Sequence, residues 1–185
     1  MLFVGTSIIH PSTEGVFLLC NILDLLIYSR EIVFYASENR ADVIVFEYLE
    51  MKGKLSGKKK QKLQMWRKRD IQKRCGQQAH RKGIRISRIC AWNTSRLAFD
   101  GSGKIDRDIQ DHRLCTFQNG KRYNCDLSAS YNIGARYFIR EILKPLPATE
   151  RSLLEAKVPA VKRRTSCVYA DLRDLISEME LQKAA

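Results

Sequence analysis

Glu47 closes an apolar run, VIVFE, and Asp126 opens the stretch CDLSASYNIGARYFI. A carboxylate at the end of a strand and another at the start of a helix can converge on one hard divalent cation, because magnesium takes oxygen ligands. With a dense basic block between them, the chemistry they suggest is phosphodiester cleavage: a metal-polarised phosphate oxygen attacked by an activated water. Each acid also has a plain structural reading. Glu47 could mark the strand's exit into solvent, and Asp126 could cap its helix by accepting backbone N–H bonds. A third carboxylate of the kind such a site needs is not evident; Asp42, Asp70, Asp106, Asp108 and Asp111 read as surface acids.

The charge is local. The 185 residues carry a formal +13, and 15 of the 33 Lys and Arg fall between Lys52 and Arg88 beside the single acid Asp70. The rest of the chain is close to neutral. A concentration of this kind points to a polyanion, since each neutralised phosphate releases counterions; the alternative is a solvated basic face with no partner. Within the block, Lys58, Lys59, Lys60, Lys62, Arg67, Lys68, Arg69, Lys73, Arg74 and Arg81 are the candidates for phosphate contact. Trp66, directly before the basic RKR, is the best candidate for stacking on a base. Trp92, Tyr123 and Tyr131 could also stack, although each reads more readily as core, Trp92 above all.

His80 sits in a basic helical stretch and reads as a surface residue. His112 and Cys115 have HxxC spacing and Cys125 follows, an irregular set that makes a weak zinc signal. The six cysteines include no CxxC pair. They suit a reducing cytoplasm better than a disulfide framework. Gly15 to Tyr28 is the most apolar stretch, but it is too short to span a bilayer and contains Asp24, so a buried helix is expected, with an interfacial membrane helix as the lesser alternative. No Lys or Arg precedes Arg30 to make a signal-peptide n-region.

The elements that must position these residues follow from periodicity. Residues 1 to 13 read as weakly structured. Apolar residues recur at helical spacing from Glu14 to Glu38, as one helix or two, with Asn39 and Arg40 closing it. Val43 to Phe46 has no polar alternation, which implies a strand buried on both faces. Lys52 to Lys60 reads as a loop and Gln61 to Lys82 as a helix with a narrow apolar stripe, Ile71, Cys75 and Ala79, ended by Gly83. Ile84 to Trp92 alternates as a second strand. Asn119-Gly120 signals a hairpin between Leu114 to Phe117 and Arg122 to Cys125. A helix follows, capped by Asp126 or Ser128 and stopped by Pro145 and Pro147. Ala148 to Thr165 reads as mixed, ending in the basic Lys162 to Arg164, and Tyr169 to Lys183 as a final helix.

Taken together, ADVIVFEYLEMKGK, GIRISRICAWNTS and YNCDLSASYNIGARYFIREI, in that order, resemble the C-terminal part of TnpB-like, transposon-encoded nucleases (the OrfB transposase family), relatives of the type V CRISPR effectors. The resemblance covers about Ile32 to Ile142. It implies an α/β fold: a partial RNase H-like, RuvC-type sheet with flanking helices and a small, degenerate zinc-ribbon-like hairpin insertion. It further implies magnesium held by carboxylates and cleavage of DNA selected by a guide RNA. Glu47 matches the family's second acidic position. Asp126 matches its third, in a D-x-N-A-A-x-N type motif written here as DLSASYN, with Ser128 and Ser130 substituted and Asn132 kept.

Three departures shape the expectation. Nothing from Met1 to Ser29 resembles the family's first aspartate, which sits in a G-I-D-x-G-like setting. The first zinc pair would fall near Ala98 and Gly101, and of the second only Cys115 is near its place, so the module is expected to fold without zinc. The regions that recognise guide and DNA are not matched. The chain therefore resembles a truncated copy. Its expected parts are a helical segment over residues 1–30, a RuvC-like part with the basic helix over 31–92, the inserted hairpin over 93–125, the last RuvC-like motif and helix over 126–145, and a tail with a helix over 146–185. The expected function is nucleic-acid binding with DNA cleavage weak or lost; the alternative is a non-catalytic binding module or a modulator of a full-length relative. A partial sheet is also expected to leave an open strand edge.

Overall fold

A computed structural model describes residues 2–4, 17–48 and 68–184. The chain is of mixed α/β type and forms two compact units, Met1–Ser87 and Arg88–Ala185.

The first unit is built on β2 (Val43–Tyr48), with β1 (Leu2–Val4) parallel to it in the register Leu2 to Val43, Phe3 to Ile44 and Val4 to Val45. Residues 1 to 13, which read as weakly structured, thus include a strand: the apolar LFV pairs with the most buried strand of the unit. The sheet has the order β1-β2-β3, with β3 at Arg85–Cys90. Val43 to Phe46 are all buried, as an uninterrupted apolar run requires. Two helices pack in this unit, α1 (Phe17–Glu38), a single helix, and α2 (Lys68–Arg81). Their shared core holds Val33, Ala36, Ile44, Phe46, Cys75, Ala79 and Ile84.

Both helices end in the same way. After α1, the Ala41 N–H donates to Ala36 O at 2.8 Å and the Arg40 N–H to Ser37 O at 3.0 Å. After α2, the Ile84 N–H donates to Ala79 O at 2.9 Å and the Gly83 N–H to His80 O at 3.1 Å. These are Schellman motifs, in which the residue after the helix turns left-handed and the next one packs back on the last turn. Ala41 and Ile84 are the residues that pack back, and both lie in the core. Gly83, at φ 71°, suits the left-handed position; Arg40, at φ 51°, does not.

The second unit holds a small antiparallel sheet of β4 (Asp106–Arg107), β5 (Leu114–Thr116) and β6 (Arg122–Asn124). The Asn119-Gly120 hairpin joins the last two strands, and Gly120 takes φ 82°. The two-residue β4 carries no alternation of its own and was not legible from the sequence. Then come α3 (Cys125–Leu143), α4 (Ala148–Lys157), a 3-10 turn at Pro159–Arg163 and α5 (Tyr169–Ala184). The stretch read as mixed, Ala148 to Thr165, is therefore mainly helical: Leu154, Val158 and Val161 anchor it on Ala135, Ile139 and Leu143 of α3 and Leu172 and Leu175 of α5. Arg151 ties α4 to the end of α3 by donating to Leu143 O and Leu146 O, each at 3.1 Å. Among the described residues no helix is long and apolar enough to cross a membrane.

Because Arg40 holds a conformation that costs a residue with a Cβ about 1 kcal/mol, Arg40→Gly is expected to stabilise the chain by about 0.5–1 kcal/mol. Urea unfolding would show this as a higher midpoint with an unchanged slope.

Candidate nucleic-acid interface and carboxylate positions

Glu47 is the first residue of β2 that is not buried, one place before the strand's end. Its backbone is pinned by α2: the buried Gln72 donates from Nε2 to Glu47 O at 3.0 Å. The same helix face carries Cys75, whose Sγ donates to Ser29 O at 3.6 Å, and Gln78, whose Nε2 donates to Ser29 Oγ at 3.3 Å. Burial pushes the Cys75 thiol up to about 12, so it stays neutral there.

With Gln72, Cys75 and Ala79 turned inward, the basic residues of α2 must face out. Lys73, His80, Arg81 and Lys82 are exposed and Arg74 is half-buried. The strand that follows adds exposed Arg85 and Arg88. Lys68 and Arg69 belong to the first turn of α2. Lys58, Lys59, Lys60, Lys62, Trp66 and Arg67 lie outside the described residues.

Asp126 is the second residue of α3 and is half-buried. Neither it nor Ser128 is the cap expected from the sequence. Asn124 is, with extended backbone and a side-chain oxygen that accepts from Asp126 N at 2.9 Å and Leu127 N at 3.0 Å. The helix starts one residue earlier than the strand reading of Arg122 to Cys125 allowed, which moves the cap to Asn124. Asp126 instead lies in the first turn, where a negative charge is favoured by the helix dipole, and its carbonyl accepts from Ser130 Oγ at 2.8 Å. Ser128 is fully buried and donates to Leu97 O at 3.4 Å.

Asn132, the asparagine of the DLSASYN motif, is fully buried. Its Nδ2 donates to Thr94 O at 3.0 Å and Leu97 O at 2.8 Å, and its Oδ1 accepts from Tyr169 N at 3.2 Å. One turn on, Arg136 is 2% exposed. It donates from Nε to Cys167 O at 2.9 Å and from Nη1 to Cys90 O at 2.9 Å and Trp92 O at 2.8 Å. A further turn on, Arg140 donates to Arg88 O at 3.3 Å. Residues 88, 90 and 92 alternate, so their carbonyls leave the chain on one edge. Guanidinium groups meet those carbonyls.

Arg136 was missed at the level of sequence. The signal was present: at positions 128, 132, 136, 139 and 143 it shares one helical face with Ser128, Asn132, Ile139 and Leu143, a lone charge on a face otherwise apolar or amide-bearing.

The remaining candidates separate by environment. His80 and His112 are exposed. Cys115 and Cys125 are buried with Ala98 and Phe117. Burial pushes the Cys115 thiol up to about 12, with the neighbouring Cys125 adding to the rise. Trp92 is 68% exposed, contrary to its reading as core; it follows β3, where its carbonyl rather than its ring is engaged. Tyr131 is 43% exposed and stacks on Phe99 at 4.9 Å, and Tyr123 is half-buried beside both. Lys121 lies over the rings of Phe99 and Tyr123 at 4.9 and 5.0 Å. Among the described residues, no three His, Cys, Asp or Glu side chains form a group able to hold a metal ion. Glu47 belongs to the first unit and Asp126 to the second.

No known protein-family model matches the chain, and no curated protein does. Among solved structures it is similar to the protein in a cryo-electron-microscopy structure of a Cas12f1-sgRNA-target DNA complex, with 21% identity and a TM-score of 0.47 over 61% of this chain. The match spans 32% of that protein's chain.

Asn132→Asp keeps the shape of the side chain but replaces its two donors with an oxygen facing Thr94 O and Leu97 O. It is expected to destabilise the second unit by about 2–4 kcal/mol, more than Asn132→Ala, because a charge is left unpaired against carbonyls. Thermal unfolding of the two variants side by side checks the order.

Proposed function

We propose that the chain is a RuvC-type, TnpB-like nuclease domain that binds nucleic acid through its basic stretch and presents Glu47 and Asp126 as magnesium ligands. The observation that carries the reading is the division of α2: Gln72, Cys75 and Ala79 are buried, so Lys73, His80 and Arg81 are presented outward. The ordered motif set noted above supplies the family. On this reading DNA is the partner of the basic face, with a guide RNA and a full-length relative as further partners.

Both proposed metal ligands are hard oxygen donors, which suits magnesium in kind. Glu47 is placed by a buried strand and the Gln72 bond, Asp126 by a capped first turn. They fall short in number: two carboxylates leave most of an octahedral shell to water. When bound, the ion would polarise a phosphate oxygen. What the chain's own residues supply is neutralisation and alignment of the phosphodiester backbone by the Lys and Arg of the basic face. Cleavage by this chain is therefore weak or lost. The second reading, a non-catalytic nucleic-acid-binding module, is favoured by the lack, among the described residues, of any three-ligand group.

Fluorescence anisotropy with a DNA oligonucleotide across a salt series tests the interface. Lys73→Ala with Arg81→Ala should flatten the slope of log affinity against log salt by about 1.5–2, close to one for each phosphate left unneutralised. A slope unchanged by that pair would sink the reading. Calorimetric titration with magnesium separates the two functions: a nuclease-type site loses its heat in Asp126→Asn and in Glu47→Gln, whereas a binding module shows none to lose.

A further inference from the structure

One tyrosine ring of the second unit is held in place yet left open. Tyr131, on α3, stacks on Phe99 with ring centres 4.9 Å apart and planes 30° from parallel. Tyr169 meets it at 5.4 Å, and Tyr123 packs on the same Phe99 at 5.1 Å. Burial first, and then the neighbouring Tyr131 hydroxyl, push the Tyr123 hydroxyl up, so the two tyrosines meet at their polar ends. Phe99, Tyr123 and Tyr169 are half-buried, but Tyr131 remains 43% exposed. Phe99 covers one face of that ring, so the surface left to solvent lies away from Phe99. A ring already fixed by its neighbours loses little freedom when a ligand stacks on it.

A cation accompanies the ring. Lys121 is exposed, and its ammonium lies over Phe99 and Tyr123, the rings that flank Tyr131, at 4.9 and 5.0 Å. Asp100 stands near Lys121, but its carboxylate already accepts from Ser102 N and Asn119 Nδ2, each at 3.0 Å. From Arg88 to Ala185, 17 Lys and Arg stand against 12 Asp and Glu, so the unit that carries the ring is itself positive. A flat aromatic surface beside a cation, on a positive unit, matches a ligand that is both flat and anionic. A single nucleic-acid strand repeats that pair of features, an unstacked base and a phosphate. A duplex does not, because its bases already stack on one another.

We propose that Tyr131 is a stacking platform for one base of a single-stranded nucleic acid, with Lys121 taking an adjoining phosphate. The proposal rests on nucleic acid as the partner named above, but needs neither magnesium nor any residue of α2. It adds a contact to a base, where the basic residues of α2 supply contacts to phosphate.

Anisotropy on the full chain with an oligothymidylate strand, an oligouridylate strand and a DNA duplex tests it. Tyr131→Leu should weaken single-strand binding by about tenfold and leave the duplex unchanged, whereas Tyr131→Phe, which keeps the ring, should stay within about twofold of the parent chain. Stacking releases no counterions, so Tyr131→Leu should keep the slope of log affinity against log salt, while Lys121→Gln should flatten it by about 0.7. A strand carrying iodouracil should photo-cross-link to Tyr131. A tenfold loss on either strand supports the platform, and the strand that suffers it names the occupant as DNA or RNA. Unchanged affinity of Tyr131→Leu for both strands, or an equal loss on the duplex, overturns the proposal, even where Lys73→Ala with Arg81→Ala still flattens the slope. A chain that binds neither strand nor duplex overturns the nucleic-acid reading along with it.

Discussion

Helix α3 satisfies backbone that is not its own, and the second unit depends on this. Asn132 and Arg136 together hold Cys90, Trp92, Thr94, Leu97 and Cys167 by their carbonyls and Tyr169 by its N–H. A buried backbone carbonyl without a donor costs about as much as a lost hydrogen bond. Among the described residues no strand pairs with the chain at those carbonyls, and side chains supply the donors. An amide and a guanidinium four residues apart do so from one helical face. Asp126, in the first turn of the same helix, inherits its position from these bonds.

What was legible in the sequence followed from periodicity and its interruptions. The unbroken apolar run at Val43 to Phe46 gave a buried strand, and the stripe Ile71, Cys75 and Ala79 gave the inner face of α2. Gly83 and the Asn119-Gly120 pair gave turns, because each needs a left-handed backbone that glycine takes at no steric cost. Features that depend on distant partners were not legible. The Leu2–Val4 strand is three residues long and is a strand only by virtue of β2. Asn124 displaced Asp126 as cap because strand β6 ends a residue earlier than its pattern implied. Arg136 looks like one more surface charge until the carbonyls of residues 90, 92 and 167 are placed around it.

The candidate site divides along the same line. The charge of the Lys52 to Arg88 stretch needs no fold to be read, and the structure adds only which of its members face out. Glu47 and Asp126 were read as carboxylates at the ends of elements, and both stand there. The aromatic candidates behaved least predictably. Trp92 stands out into solvent while Arg136 holds its carbonyl. Tyr131 is partly covered by Phe99.

The spacing of the buried donors also restricts motion. Each sits one turn from the next along α3, and each reaches a different stretch of backbone. Sliding the helix along its axis by a turn would bring Asn132 to the carbonyls that require a guanidinium and would take Arg136 away from the carbonyls of Cys90, Trp92 and Cys167. No intermediate position satisfies both, so these bonds fix α3 along its axis as a bolt is fixed by its catch.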